Sequence, residues 1–146
     1  MTETDVTAVA DWDHFQHGAD IGIRGVGATP AEAFARAGVA LSAVITRPET
    51  VQPRQSLSLA CQAPDLDFLF LDWINALVYA MATEGLLFAR YEVAIDNDRL
   101  QATAWGEPVD RTRHQPAVEV KGATLTALEV RQLGDGRWLA QCVVDV

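Results

Sequence analysis

The chain has 146 residues, 49% of them apolar and 21% charged, with 20 Asp and Glu against 11 Lys and Arg and a formal net charge of −9. That length and composition describe one globular domain large enough to bury a core. They argue against a protein that grips nucleic acid through its own surface, because a phosphate backbone repels a chain of this charge unless basic residues cluster on one face, and the one cluster (Arg111, Arg113, His114, with Lys121 beyond) is weak.

Residues 1–13 read as a flexible acidic leader, and the single domain is expected over 14–146. "MTETDVTAVADWDHF" has no basic stretch followed by an apolar one, so no signal peptide is expected. Ile21, Ile23 and Val26 predict a strand bounded by Gly25 and Gly27. In "ATPAEAFARAGVALSAVI", Thr29 suits an N-cap, Pro30 the first helical position and Glu32 the third position of a capping box. Phe34, Ala37, Leu41 and Val44 then recur on one helical face. "QSLSLACQA" alternates as a strand with Leu57, Leu59 and Cys61 on one side.

A second helix is predicted from about Asp65 to Glu84, capped by Asp65 or Asp67 and ended by Gly85. Its apolar run is interrupted by Asp67, Asp72 and Asn75, charged and polar groups that are costly in lipid, so it reads as a core helix and not a membrane span. Four strands follow: "LFARYEVAID", "RLQATAWGE", "AVEVKGATLTALEVRQ" and "WLAQCVVDV", with turns at Asn97–Asp98 and Gly134–Gly136. The order is approximately β-α-β-α-β-β-β-β, which fits an α+β domain with two helices packed on mainly antiparallel β-sheet. The two cysteines, Cys61 and Cys142, lack CxxC spacing and read as reduced, buried thiols, consistent with a cytoplasmic protein.

The residues that could carry chemistry are acids at strand ends. Asp20 precedes the first strand, and Asp145 is penultimate in the last, beside the carboxylate of Val146. Like charges brought together either raise a pKa or recruit a cation, whereas strand termini apart are simply solvated. "GEPVDRTRH" offers Glu107, Asp110 and His114 as hard-cation ligands, or is a polar hairpin loop with Arg111 and Arg113. Glu119 and Lys121 share a face in the alternating "VEVK", which suits a solvated ion pair or contact with an anion. His17 is three residues before Asp20 and reads as an orienting residue. No phosphate-binding GxxxxGK[ST] loop occurs, and the glycines of "GIRGVG" lack dinucleotide spacing.

Taken in series, "HGADIGIRGVG", "TPAEAFARAGVAL", "WINALVYAMATEGLLF", "GEPVDRTRH", "VEVKGATLTALEV" and the terminal "VVDV" resemble the archease family from His17 to Val146. The resemblance implies an accessory protein, not an enzyme, that promotes guanylylation and multiple turnover of an RtcB-type RNA ligase in tRNA splicing and RNA repair. It implies a metal site built on Asp20 and Asp145, joined here by the Val146 carboxylate, for a divalent ion (calcium, magnesium or manganese). His17, Asp110, His114 and Lys121 match other recurrent positions, as supporting or partner-contact residues. Gly18 departs from the family's usual Thr. RNA is expected to be met only through the ligase, no membrane is involved, and self-association stays open. Two other readings use the same residues. One is a metal-dependent phosphoester hydrolase with His114 as general base. The other is a binding or chaperone-like module whose acids are merely solvated.

Overall fold

The computed structural model of the chain describes residues 11–146. In chain order it contains β1 (Trp12–His17), β2 (Asp20–Gly27), α1 (Pro30–Ile45), a short 3-10 turn (Pro48–Thr50), β3 (Gln55–Gln62), α2 (Leu66–Glu84), β4 (Leu86–Asp96), β5 (Arg99–Pro108), α3 (Arg111–His114), β6 (Gly122–Ala123), β7 (Glu129–Gln132) and β8 (Trp138–Asp145). The α+β class and the antiparallel pairing are as expected from the sequence.

Both long helices are started by the residues that foretell them. The Thr29 hydroxyl accepts from the Glu32 amide at 3.1 Å, and the Glu32 carboxylate reaches back to the Ala28 amide at 3.1 Å, a reciprocal cap shifted by one residue. Asp65 caps α2 by accepting from the Phe68 amide at 2.8 Å, and Gly85 closes it in the left-handed conformation at φ 65°. Asp65→Ala is expected to cost about 1 kcal/mol of unfolding free energy, read as a lower denaturation midpoint with an unchanged m-value.

The strands form two sheets. One runs β1-β2-β8-β6, with β7 also paired to β8, and the other runs β3-β5-β4. The helices fill the core between them. Phe34, Leu41, Phe70, Trp73, Ile74 and Leu77 are fully buried, and the Trp73 indole N–H donates to the Phe34 carbonyl at 3.0 Å. Helix α2 is long and apolar enough in composition to cross a membrane, but its apolar stripe of Leu69, Phe70, Trp73, Ile74, Leu77 and Ala80 is buried in this core.

Four expectations need correction. Trp12 and Asp13 are not leader but the start of β1, paired with Gly25 and Arg24, and Asp13 holds the buried Arg24 guanidinium at 2.8 Å. The rest of the expected leader, residues 1–10, lies outside the described residues. "AVEVKGATLTALEVRQ" is not a continuous strand. Residues 117–121 have no regular structure, β6 spans two residues, and a turn with Ala127 at φ 56° separates it from β7. The "RTRH" segment is a turn of helix, since Asp110 accepts from the Thr112 and Arg113 amides. Cys142 is fully buried, and desolvation pushes its thiol up to about 12, whereas Cys61 is only half-buried on β3.

Candidate functional site

β2 and β8 bring the two ends of the sequence together. Their antiparallel register pairs Ile23 with Cys142, Gly22 with Val143 and Ile21 with Val144. One step further along this ladder stand Asp20 and Asp145, separated by 125 positions in sequence. Ile21, Ile23, Cys142 and Val144 point into the core. Side chains alternate along a strand, so Asp20 and Asp145 both project from the opposite face, near each other.

The row extends on both sides. His17 pairs with Asp20 across the β1–β2 hairpin, and Gly122 of β6 pairs with Asp145. The hairpin turns on Gly18 and Ala19, with Gly18 at φ 59°. Positive φ at the first turn residue alone is the pattern of a II′ hairpin and favours glycine, which accounts for Gly18. On the face that carries Asp20, the Phe15 ring lies over Gly22, where a Cβ would stand 2.3 Å from the ring. The Arg24 guanidinium lies 4.8 Å from the Phe15 centroid. This stack rigidifies the hairpin that presents His17 and Asp20.

Asp20 is half-buried, and one of its oxygens accepts from the Val146 amide at 3.3 Å. Asp145 is exposed, and its carbonyl accepts from the Lys121 amide at 2.9 Å. Lys121 thus lies at the same end of the sheet, although not on the strand that "VEVK" predicts. Among the described residues no group of three or more His, Cys, Asp or Glu is close enough to hold a metal. The side-chain oxygen donors at this edge are the two carboxylates, whose chemistry suits a hard cation.

Two residues that secure this edge were not read as such from the sequence. Asn75 accepts from the Ala123 amide at 2.9 Å, and Asp67 accepts from the Val130 amide at 2.8 Å. Both are polar interruptions of the apolar α2, and each supplies an acceptor to a strand too short to satisfy itself. A polar side chain inside an otherwise apolar helical run was the signal available.

The "GEPVDRTRH" residues belong elsewhere, at the end of the three-stranded sheet. Glu107 is buried, and Arg113 forks it at 2.7 and 2.8 Å. The Gln52 amide donates to it at 2.7 Å, and Arg54 stands at 3.3 Å. Chiefly through Arg113, this setting pulls the Glu107 carboxyl down to about 2. His114 is buried too. Its Nδ1 accepts from the Asp110 amide at 2.9 Å, so its proton sits on Nε2 and is donated to Glu107 at 3.0 Å. Glu107 and His114 satisfy each other within this cluster: Glu107 is not offered to a cation, and His114 has no free nitrogen with which to act as the general base of the hydrolase reading, while the exposed Asp110 caps α3 through one oxygen.

Comparison with known proteins follows the same ladder from end to end. A family model described as "Archease protein family (MTH1598/TM1083)" matches residues 12–146. "Protein archease" of Pyrococcus abyssi is 37% identical over 139 residues, covering 92% of this chain and 98% of its own length. "Protein archease" of Methanopyrus kandleri is 32% identical over 139 residues, covering 92% and 99%. The solution structure of Methanobacterium thermoautotrophicum protein 1598 superposes with a TM-score of 0.81 at 28% identity, covering 92% of this chain and 98% of that one.

Proposed function

This chain belongs to the archease family, and from that premise we propose that it is a cytoplasmic accessory protein that activates an RtcB-type RNA ligase, promoting its GTP-dependent guanylylation and multiple turnover. The observation that supports the reading is the β2–β8 register, whose last pair is Ile21 with Val144, so that Asp20 and Asp145 are the next residues at that end of the sheet. A divalent ion (magnesium, manganese or calcium) would be held there by Asp20 and Asp145. When bound, it would supply positive charge for phosphate chemistry in the partner's active site. His17 flanks Asp20 in the row, and Lys121 flanks Asp145 through its main chain. Asp110 and His114 shape α3 and play no part in holding the cation. The net charge of −9 supports a role in which RNA is contacted through the ligase and not directly.

The test is ligase turnover at limiting Mn²⁺ and Mg²⁺ with and without this protein. Stimulation is expected for the parent, and Asp145→Ala is expected to return turnover to the level of ligase alone. The exposed position of Asp145 leaves the fold intact. An Asp145→Ala protein that stimulates as well as the parent rejects the proposed role for these acids. No stimulation by the parent rejects the ligase reading itself.

A further inference from the structure

Between β6 and β7 the chain forms a loop, residues 124–128, that carries Leu125 at 66% exposure, more than any other bulky apolar side chain among the described residues. A single exposed leucine is ordinary on a protein surface. This one differs in how it is held and in what lies beside it.

The loop is bonded to β8 and to itself. The Thr124 amide and hydroxyl both donate to the Val143 carbonyl at 2.9 Å, and the Val143 amide donates to the Thr126 carbonyl at 3.0 Å. The Thr126 amide donates to the Thr124 hydroxyl at 3.2 Å, and Gln141 Nε2 donates to the Ala127 carbonyl at 3.1 Å. The Leu128 amide closes a turn on the Leu125 carbonyl at 3.2 Å, with Ala127 at φ 56° as its third residue. That position favours glycine or asparagine, so an alanine there is strained and is kept in place by the surrounding bonds. Leu125 therefore stands on a fixed backbone, and covering it costs little further ordering.

Its neighbour is the acid row. Val143, which holds the loop, precedes Asp145 by two residues of β8, about 7 Å, and alternation puts both on the face turned away from the core. A specific protein–protein contact covers about 800 Å² of each partner, a disc on the order of 15 Å in radius. A partner whose active site takes a cation held by Asp20 and Asp145 therefore covers this loop as well.

We propose that Leu125 is the apolar anchor on which the RNA ligase seats, entering an apolar pocket of the ligase surface beside its active site. The proposal rests on the ligase reading above and separates two roles within it. The carboxylates act on the cation, whereas Leu125 supplies affinity and needs no cation. Attraction between the acid row and a basic active site is screened by salt, and burial of a leucine is not.

The test titrates ligase turnover with this protein and follows complex formation in parallel by sedimentation. Burying one leucine corresponds to roughly ten- to a hundredfold in affinity. Leu125→Ser is expected to need about tenfold more protein for half-maximal stimulation, to reach the parent's plateau, and to weaken the sedimenting complex by the same factor. Leu125→Met, which keeps volume and apolarity, is expected to restore the parent's midpoint. Asp145→Ala is expected instead to lower the plateau. Leu125→Ser should melt with the parent, because its side chain is exposed in the free protein. If the parent stimulates and Leu125→Ser shares its midpoint, the anchor is overturned and the acid reading stands. A Leu125→Ser protein with a lowered plateau and an unmoved midpoint overturns it too. A parent that neither stimulates nor binds the ligase rejects the ligase reading, and the anchor with it.

Discussion

Glu107→Ala is expected to destabilise the protein by about 3–5 kcal/mol, because it strips the shared acceptor from a buried cluster and leaves charge and donors uncompensated. The Arg113 guanidinium loses both of its bonds to the carboxylate, the buried His114 Nε2–H loses its acceptor, and the Gln52 amide loses its own. The Thr46 hydroxyl bonds the His114 carbonyl, so the disturbance reaches the end of α1. A fall in Tm on the order of 10–20 °C is expected for a domain of this size, and a variant melting within a degree of the parent rejects the account. The pH dependence gives a second readout. The carboxyl of Glu107 is lowered from 4.5 to about 2 in the folded protein, chiefly by Arg113, so its contribution is complete above about pH 4.5. That contribution is lost as pH falls from 4.5 through 2. The parent is expected to lose stability over this window, and Glu107→Ala to lose correspondingly less.

Gly25→Ala is the second large effect. A Cβ on Gly25 would stand 2.2 Å from the Ala33 carbonyl oxygen and 2.4 Å from the Ala37 amide nitrogen. Both are backbone atoms of α1, so no side chain can rotate away, and the helix must lift from β2. The expected cost is about 3 kcal/mol or more, at the upper end for overpacking. Because β2 carries Asp20, the hairpin bearing it is expected to shift as well, and amide exchange along β2 and β8 should quicken. Unchanged exchange with full stability counts against the close packing of α1 on this strand.

Much of the fold is legible in the sequence because it is encoded locally. Thr29, Pro30 and Glu32 announce α1, while Asp65 and Gly85 bound α2, each through a hydrogen bond or a backbone conformation settled within four residues. β1 escapes such reading because it is an edge strand with Asp13, His14, Gln16 and His17 spread over both faces, so no apolar alternation marks it. "VEVKGATLTALEV" misleads in the other direction. It alternates, but β6 is held by β8 and Asn75 over only two residues before the chain turns. The acids show the same division at the candidate site. Each of Asp20 and Asp145 is conspicuous at a strand end, yet their adjacency depends on which strands pair and in what register, and neither segment encodes that alone. Glu107, Arg113 and His114 are visible as a charged run, but only burial and the Asp110–His114 bond reveal that they satisfy one another.

The position of β8 also sets the order in which this molecule can be made. The last strand of the sequence is the interior strand of its sheet, between β2 on one side and β6 and β7 on the other. The β1–β2 hairpin therefore emerges from the ribosome well over a hundred residues before the strand it must join. Until residues 138–146 are free of the exit tunnel, the β2 edge is open and Asp20 has no neighbour across it. The three-stranded sheet and both long helices are fully synthesised by then. Assembly of the acid row thus waits for β8, and contacts of such long sequence separation are slow to form. An incomplete translation product would expose the β2 edge without ever presenting the row.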